Sequence, residues 1–306
     1  MRLLLLLLFL AATPVLAAPP AWVVPDADKL PDDPQGKLVK FGRRLTEATY
    51  AEIGPQVADP AKRYAGNNLA CQNCHLQAGT KQFGLPFLGV AKDFPGYRPR
   101  EGRVGTLQER VNGCMTRSMS GKPLPDDGPE MKAFVAYITF LSTGPKQEGR
   151  GSGKMAELSR PANIAHGAKI YTNACSACHG ANGAGVPNGG QAAGYAIPPL
   201  WGNDTFNDGA GMARLISAAN FIHSNMPNGT TWQAPSVSVD DAWDVAAFVI
   251  NHPRPHKDNL EADYPKRSEK SVDAAYGPFA DGLPAEQHAL GPFDPIRLRL
   301  KALGKD

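Results

Sequence analysis

The sequence predicts a mainly α-helical chain of two tandem domains followed by an irregular C-terminal extension. Three observations carry this. A Cys-x-x-Cys-His pentad occurs twice, as Cys71-Gln72-Asn73-Cys74-His75 and Cys175-Ser176-Ala177-Cys178-His179. Apolar residues recur at helical spacing before and after each pentad. A segment of linker composition, Gly144 to Gly153, separates the two halves and is expected to be flexible.

The chain begins with Arg2 and an apolar run from Leu3 to Leu10, then small residues through Val15-Leu16-Ala17-Ala18 into a proline pair. A positive start, a short apolar core and a small-residue exit predict a secretory signal peptide over residues 1–18, cleaved near Ala17 and Ala18. The run is short for a bilayer span. No later stretch approaches the length of a span, so none is expected after cleavage. The formal net charge is +3, and losing Arg2 leaves +2. That balance gives no reason to expect a nucleic-acid partner. The remaining length suits an N-terminal domain over 19–146, a C-terminal domain over 147–253 and an extended tail over 254–306.

Four of the five cysteines belong to the pentads. At this spacing two thiols reach the two vinyl groups of a haem as thioethers, and the following His lies under the iron as proximal ligand. One pentad alone would also suit a redox pair or half a zinc site. Two, each ending in His in an exported chain, predict two covalently attached haem c groups. Cys71, Cys74 and His75 would hold the first, and Cys175, Cys178 and His179 the second. Disulfides would leave both histidines unexplained.

The elements around the pentads repeat. Before the first lies a helix-like stretch from Leu38 to Ala51; before the second, Ile164, Ala168 and Tyr171 share a helical face. After them come Leu85-Pro86-Phe87-Leu88-Gly89 and Ile197-Pro198-Pro199-Leu200-Trp201-Gly202. A Pro carbonyl from such a loop is expected to accept the proximal imidazole N–H and fix the ring. Each half closes with an apolar helix. One runs from Glu130 to Leu141, with Phe134, Tyr137, Ile138 and Leu141 on one face. The other runs from Asp240 to Ile250, with Trp243, Ala246, Ala247 and Ile250. Each half therefore reads as a class I cytochrome c domain.

The sixth iron ligand decides what each haem does. In the second half Met226-Pro227 stands before the last helix, the usual place for a distal thioether. Met212, on a helix expected from Gly211 to Ser224, and His223 are the alternatives. The first half lacks a matching Met-Pro pair and carries Cys114, which has no cysteine left to pair with. Three readings stay open: a thiolate ligand of the first haem, a buried apolar cysteine with Met119 or Met115 on the iron, or a cross-link to another chain. Thiolate ligation lowers the potential and leaves a nucleophilic sulfur at the metal. Arg98, Arg100, Arg103, Arg110 and Arg117 crowd the same region. Guanidinium groups match oxyanions bidentately, so the cluster predicts an anion site, with Ser118 as a further donor.

The segment Arg110 to Pro125, Arg-Val-Asn-Gly-Cys-Met-Thr-Arg-Ser-Met-Ser-Gly-Lys-Pro-Leu-Pro, resembles the active-site segment of dihaem c-type thiosulfate dehydrogenases. The tail, Ala275 to Gly282 through Glu286-Gln287-His288 and Gly291-Pro292-Phe293, resembles that family's C-terminal extension. The resemblance implies a periplasmic enzyme that joins two thiosulfates into tetrathionate. It implies that His75 and Cys114 hold the active haem, that Arg100, Arg110 and Ser118 bind substrate, and that His179 and Met226 hold a relay haem. Arg103 is added from charge clustering. Some members carry a Lys before that Met and switch ligands with redox state; here the position is Asn225, so plain His/Met ligation is expected. The electrons would leave to a redox partner such as a small or dihaem cytochrome c or a high-potential iron–sulfur protein. The alternatives are a thiosulfate-binding haem subunit of a sulfur-oxidation complex and a plain dihaem electron carrier. The tail's aromatics suggest that it wraps over the domains. His252, His256 and His288 read as surface residues.

Overall fold

The computed structural model describes residues 22–145, 147–189 and 193–304. The signal-peptide expectation falls outside them. Each half of the chain is built on a crossing of its first and last helices at a glycine. In the first half these are α1 (Pro34–Glu47) and, after α2 (Leu107–Met115), α3 (Pro129–Leu141). Asp33 caps α1 by accepting the Gly36 N–H at 2.7 Å, and Pro34 supplies a preset φ at the first turn. The expected helix from Leu38 to Ala51 is interrupted at Ala48, which leaves helical geometry before a short Thr49–Ile53 turn of helix. A Cβ on Gly42 would stand 2.0 Å from the Ala133 carbonyl, so only glycine lets α1 and α3 approach this closely.

The second half repeats the design with α4 (Ile164–Ala174), α5 (Leu215–Asn225) and α6 (Val239–Ile250). Here a Cβ on Gly167 would stand 1.9 Å from the Asp244 carbonyl. Met212 falls in a single 3-10 turn, Gly211–Ala213, and Arg214 breaks it from α5, so the expected helix starts later than its periodicity suggests. Besides short helical turns, the domains contain two short antiparallel ribbons: β1 (Gly96–Arg98) with β2 (Arg103–Gly105), and β3 (Val186–Pro187) with β4 (Tyr195–Ile197).

The core of the first half is split into two clusters. Phe87, Leu88, Leu107 and Ile138 belong to one, and Leu69, Met115, Met119 and Phe134 to the other. A cavity lies between them. Small all-helical domains cannot leave their centre unfilled at native packing density, so the split marks the place of a large apolar group.

The end of the expected linker, residues 149–153, is tied down rather than free. The Gly149 and Gly151 carbonyls accept the Phe83 and Leu85 N–H groups at 2.7 and 3.0 Å. Gly149, Gly151 and Gly153 all have positive φ (101°, 80° and 75°), the conformation that turns those carbonyls inward. From Pro253 the tail runs along both halves. The Tyr264 N–H bonds to Arg100 O (2.7 Å), and Tyr97 Oη donates to Glu269 (2.6 Å). After α7 (Ala285–Leu290) and into α8 (Asp294–Leu303), Phe293, Ile296 and Leu300 join the core around Trp243. His288, expected at the surface, is buried: it stacks on Phe279 with centroids 3.9 Å apart, and its Nδ1 meets the Val272 carbonyl. The tail has its own small core, which no periodicity announces. Among the described residues no helix is long and apolar enough to cross a membrane.

Candidate active site

The cavity of about 490 Å³ contains Cys71, Cys74 and His75 on its wall, with Cys114, Arg110 and Ser118, and its size suits a buried cofactor. His75 directs Nδ1 to the Leu85 carbonyl at 2.6 Å. That bond leaves Nε2 free and fixes the ring. In the second half His179 does the same with Pro198 O at 2.9 Å. The Pro carbonyl expected for both loops is present only in the second. In the first, the acceptor is Leu85, the residue before Pro86, just as Pro198 precedes Pro199. What the two loops share is an acceptor followed by proline, and proline holds the preceding residue out of the helical region.

The His75 loop is unusual in its backbone. Gln77, Ala78, Phe83 and Leu85 all have φ between 55° and 58°. Left-handed geometry at non-glycine residues costs on the order of 1–3 kcal/mol each and persists only where neighbours impose it. The Leu76 N–H to Gly84 O bond (3.0 Å) and the two linker carbonyls impose it here.

Cys114 is placed by α2. Thr106 and Glu109 form a reciprocal capping box at the helix start, with Thr106 N–H to Glu109 at 2.7 Å. Arg110 and Cys114 are one turn apart on the same face, and Arg110 Nη1 donates to Cys114 Sγ at 2.8 Å. Asn112 pins the following loop through the Leu124 N–H (2.8 Å) and carbonyl (3.0 Å). Burial alone would push the Cys114 thiol up. Arg110 and His75 outweigh burial and bring it down to about 6 from 9.0. The end of α2 carries the negative pole of its dipole, which opposes a thiolate; the guanidinium is therefore needed. An imidazole and a thiol brought together in one apolar-walled cavity are a donor set that fits a haem iron.

The remaining arginines are divided among carboxylates and carbonyls. Arg98 pairs with Glu101 (2.7 Å). Arg103 is exposed and pairs with Glu109 (2.6 Å), outside the cavity wall. Arg100 and Arg117 both donate to Gly209 O (3.3 and 3.2 Å), and Arg117 meets the buried Asp263 at 2.6 Å. Neither lines the cavity. Of the five, only Arg110 is brought to the thiol together with Ser118. Met115 and Met119, the alternative ligands, are buried and reach the same wall. Met226 follows α5 directly, its N–H bonded to Ile222 O at 2.8 Å. His223 is buried with Nδ1 unpartnered and packs edge-on to Trp232.

Residues 61–146 match the family model described as the SoxA/TsdA cytochrome c domain, and residues 164–253 match the cytochrome c model. Over 250 residues the chain is 38% identical to a thiosulfate dehydrogenase of Psychrobacter arcticus, covering 80% of this chain and 72% of that one. Over 243 residues it is 39% identical to a thiosulfate dehydrogenase of Allochromatium vinosum, covering 77% and 85%. The chain belongs to the thiosulfate dehydrogenase family. The solved thiosulfate dehydrogenase TsdBA of Marichromatium purpuratum superposes with a TM-score of 0.72 at 31% identity, covering 91% of this chain and 56% of that chain. The present chain thus spans little more than half of that longer protein.

In this member of the family the cavity wall is not made by one domain. Phe206 and Met212, from the second half, and Arg150, from the connecting segment, complete it. Met212, weighed in the sequence as a ligand of the second haem, therefore lines the cavity of the first pentad. Asn207 Nδ2 donates to Thr116 O (3.0 Å), Ser120 Oγ to Thr205 O (3.0 Å) and Asn67 Nδ2 to Thr205 O (2.9 Å). These bonds press the 204–212 segment onto the loop that follows Cys114. Arg150 pairs with Asp93 and keeps a buried Nε without a partner. Nothing in the sequence marked it; its contact with the cavity comes from tertiary folding.

Proposed function

We propose that the protein is a periplasmic dihaem cytochrome that joins two thiosulfates into tetrathionate and passes the electrons to an external redox partner. The observation that carries the reading is Cys114: a half-buried thiol held toward thiolate by Arg110 at 2.8 Å, in the cavity that His75 lines. Cys71 and Cys74 would hold the first haem through thioethers, with His75 and Cys114 as axial ligands. Cys175 and Cys178 would hold the second, with His179 and Met226. Bound there, the two haem c groups supply the one-electron acceptors that a two-electron sulfur oxidation needs.

The chain's own groups do the rest. Two dianions about 4 Å apart repel by roughly 4 kcal/mol even at the dielectric of water. Arg110 offsets part of that, and the Ser118 hydroxyl offers a donor to a sulfonate oxygen. Arg100, with Arg117 on Gly209 O, fixes the segment that brings Phe206 and Met212 into the wall; its part is positioning. The Cys114 thiolate bonds to the outer sulfur of one thiosulfate, forming a cysteine S-thiosulfonate as two electrons depart. A second thiosulfate attacks that outer sulfur. Its S–S bond to the cysteine breaks, tetrathionate leaves, and the thiolate returns.

The test is thiosulfate-dependent reduction of the purified holoprotein, with tetrathionate assayed as product. Two thiosulfates consumed per tetrathionate are expected. Loading of thiosulfate onto a carrier protein without tetrathionate would favour the sulfur-oxidation-subunit reading, whose relatives share the first domain model. No reduction by thiosulfate would leave a plain electron carrier.

A further inference from the structure

Two loops that serve different haem sites are fastened to each other. The first is Lys81 to Leu85, whose last carbonyl orients His75 at 2.6 Å. The second is the segment from Phe221 to Trp232, which carries Met226. Asn225 Nδ2 donates to Phe83 O at 3.0 Å across the domain boundary, and to Phe221 O in its own helix at 3.2 Å. Lys81 Nζ donates to Thr230 O at 3.1 Å. The Phe83 and Trp232 rings pack with centroids 5.2 Å apart. The connecting segment closes the joint from behind. It accepts from Phe83 N–H and Leu85 N–H, and Ser224 Oγ donates to Ser152 O. Gly153 admits no side chain, since a Cβ there would meet Trp232 at 2.7 Å.

Asn225 sits at the centre of this joint. It is 1% exposed, and its Oδ1 is buried without a partner, so the amide is bonded through its donor end. It adjoins Met226 in sequence, and its acceptor Phe83 lies two residues from Leu85. A rotation of the Met226 loop therefore pulls on Phe83 O, and Phe83 shares a strained left-handed stretch with the carbonyl that holds His75.

We propose that Asn225 is a positioning residue that couples the two haem sites, by locking the loop of Met226 to the loop that orients His75. The proposal rests on Met226 as the second distal ligand. It goes beyond plain ligation of each haem: a disturbance made on one side of the joint is felt at the iron of the other. Leaving the Phe83 carbonyl unpaired lets its peptide relax, changes the Leu85–His75 bond and alters the imidazole's donor strength.

The experiment uses holoprotein with both haems attached and two variants, one from each side. Asn225→Ala is read at the first haem, and Lys81→Met, which removes the bond to Thr230, is read at the second. Midpoint potentials come from spectroelectrochemical titration, and ligand fields from electron paramagnetic resonance and the near-infrared methionine–iron band. The wild-type band and its loss in Met226→Ala first establish Met226 ligation; no band in the wild type, or a band unchanged in that variant, overturns the proposal. Coupling predicts that each variant shifts the potential or signal of the haem in the other domain. Lower thermal stability with both opposite-domain signals unmoved overturns it, and so does a shift confined to the haem of the altered domain. Should one variant fail to load haem, the other decides. None of these readouts needs thiosulfate, so an inactive protein with cross-shifts would sink the functional reading and leave the coupling standing.

Discussion

Arg110 Nη1 lies 2.8 Å from Cys114 Sγ, one helical turn away on α2, and donates to it. The contact sets the charge state of the one cysteine that no pentad uses. Arg110, together with His75, holds the thiol down, to about 6 from an ordinary 9.0. A depressed value favours the thiolate form throughout the window above about 6, and that advantage is lost as pH falls through it. Thiosulfate oxidation is expected to decline on the acid side there. Arg110→Gln removes the guanidinium, lets burial raise the thiol, and moves the acid limb of the pH–rate profile to higher pH. Loss of a charge-assisted bond, roughly 1.5–3 kcal/mol, corresponds to about 10- to 160-fold in kcat/KM. An unchanged pH profile in this variant would contradict the assignment.

Arg103 gives the opposite expectation. It is exposed and paired to Glu109, outside the cavity. Arg103→Gln should leave kcat/KM for thiosulfate at the wild-type value and stability essentially unchanged. Steady-state kinetics on the purified variant check this. A large rise in KM would return Arg103 to the substrate site.

Asp263 is buried and accepts from Arg117 at 2.6 Å and from Tyr276 Oη at 2.7 Å. Asp263→Ala leaves the largely buried Arg117 uncompensated, a loss of about 3–5 kcal/mol. Urea unfolding measures it. The same variant should free the tail near Arg100, seen as faster amide exchange around Tyr264.

The helix crossings tolerate no side chain. Gly42→Ala and Gly167→Ala would each place a methyl about 2 Å from a backbone carbonyl of the facing helix. Overpacking of this kind costs about 1–3 kcal/mol or more. Denaturant midpoints should fall in both variants, with the spectrum of the altered domain's haem perturbed first.

The two pentads were legible because covalent haem chemistry prescribes their spacing, and the structure places the first of them on the cavity wall. The closing helices were legible from periodicity: α3 begins at Pro129 where Glu130 was expected, and α6 at Val239 where Asp240 was expected. The anion cluster was only partly legible. Five arginines near one another in sequence are spread by the β1–β2 hairpin over Glu101, Glu109 and Asp263, and Arg110 alone reaches Cys114. Phe206, Met212 and Arg150 carry no local signal, because the second half brings them to the first cavity through tertiary bonds. Leu85 was hidden behind the expectation of a proline acceptor, since the rule lies in the residue before the proline. The fastening of Gly149 and Gly151 was masked by a composition that reads as free linker.

The most direct test is low-temperature electron paramagnetic resonance of the oxidised holoprotein beside Cys114→Gly. The account predicts a low-spin His/thiolate signal in the wild type. In the variant that signal vanishes and thiosulfate-dependent turnover with it, while both haems stay attached. Two His/Met signals in the wild type, or near-normal turnover without the thiol, would contradict it.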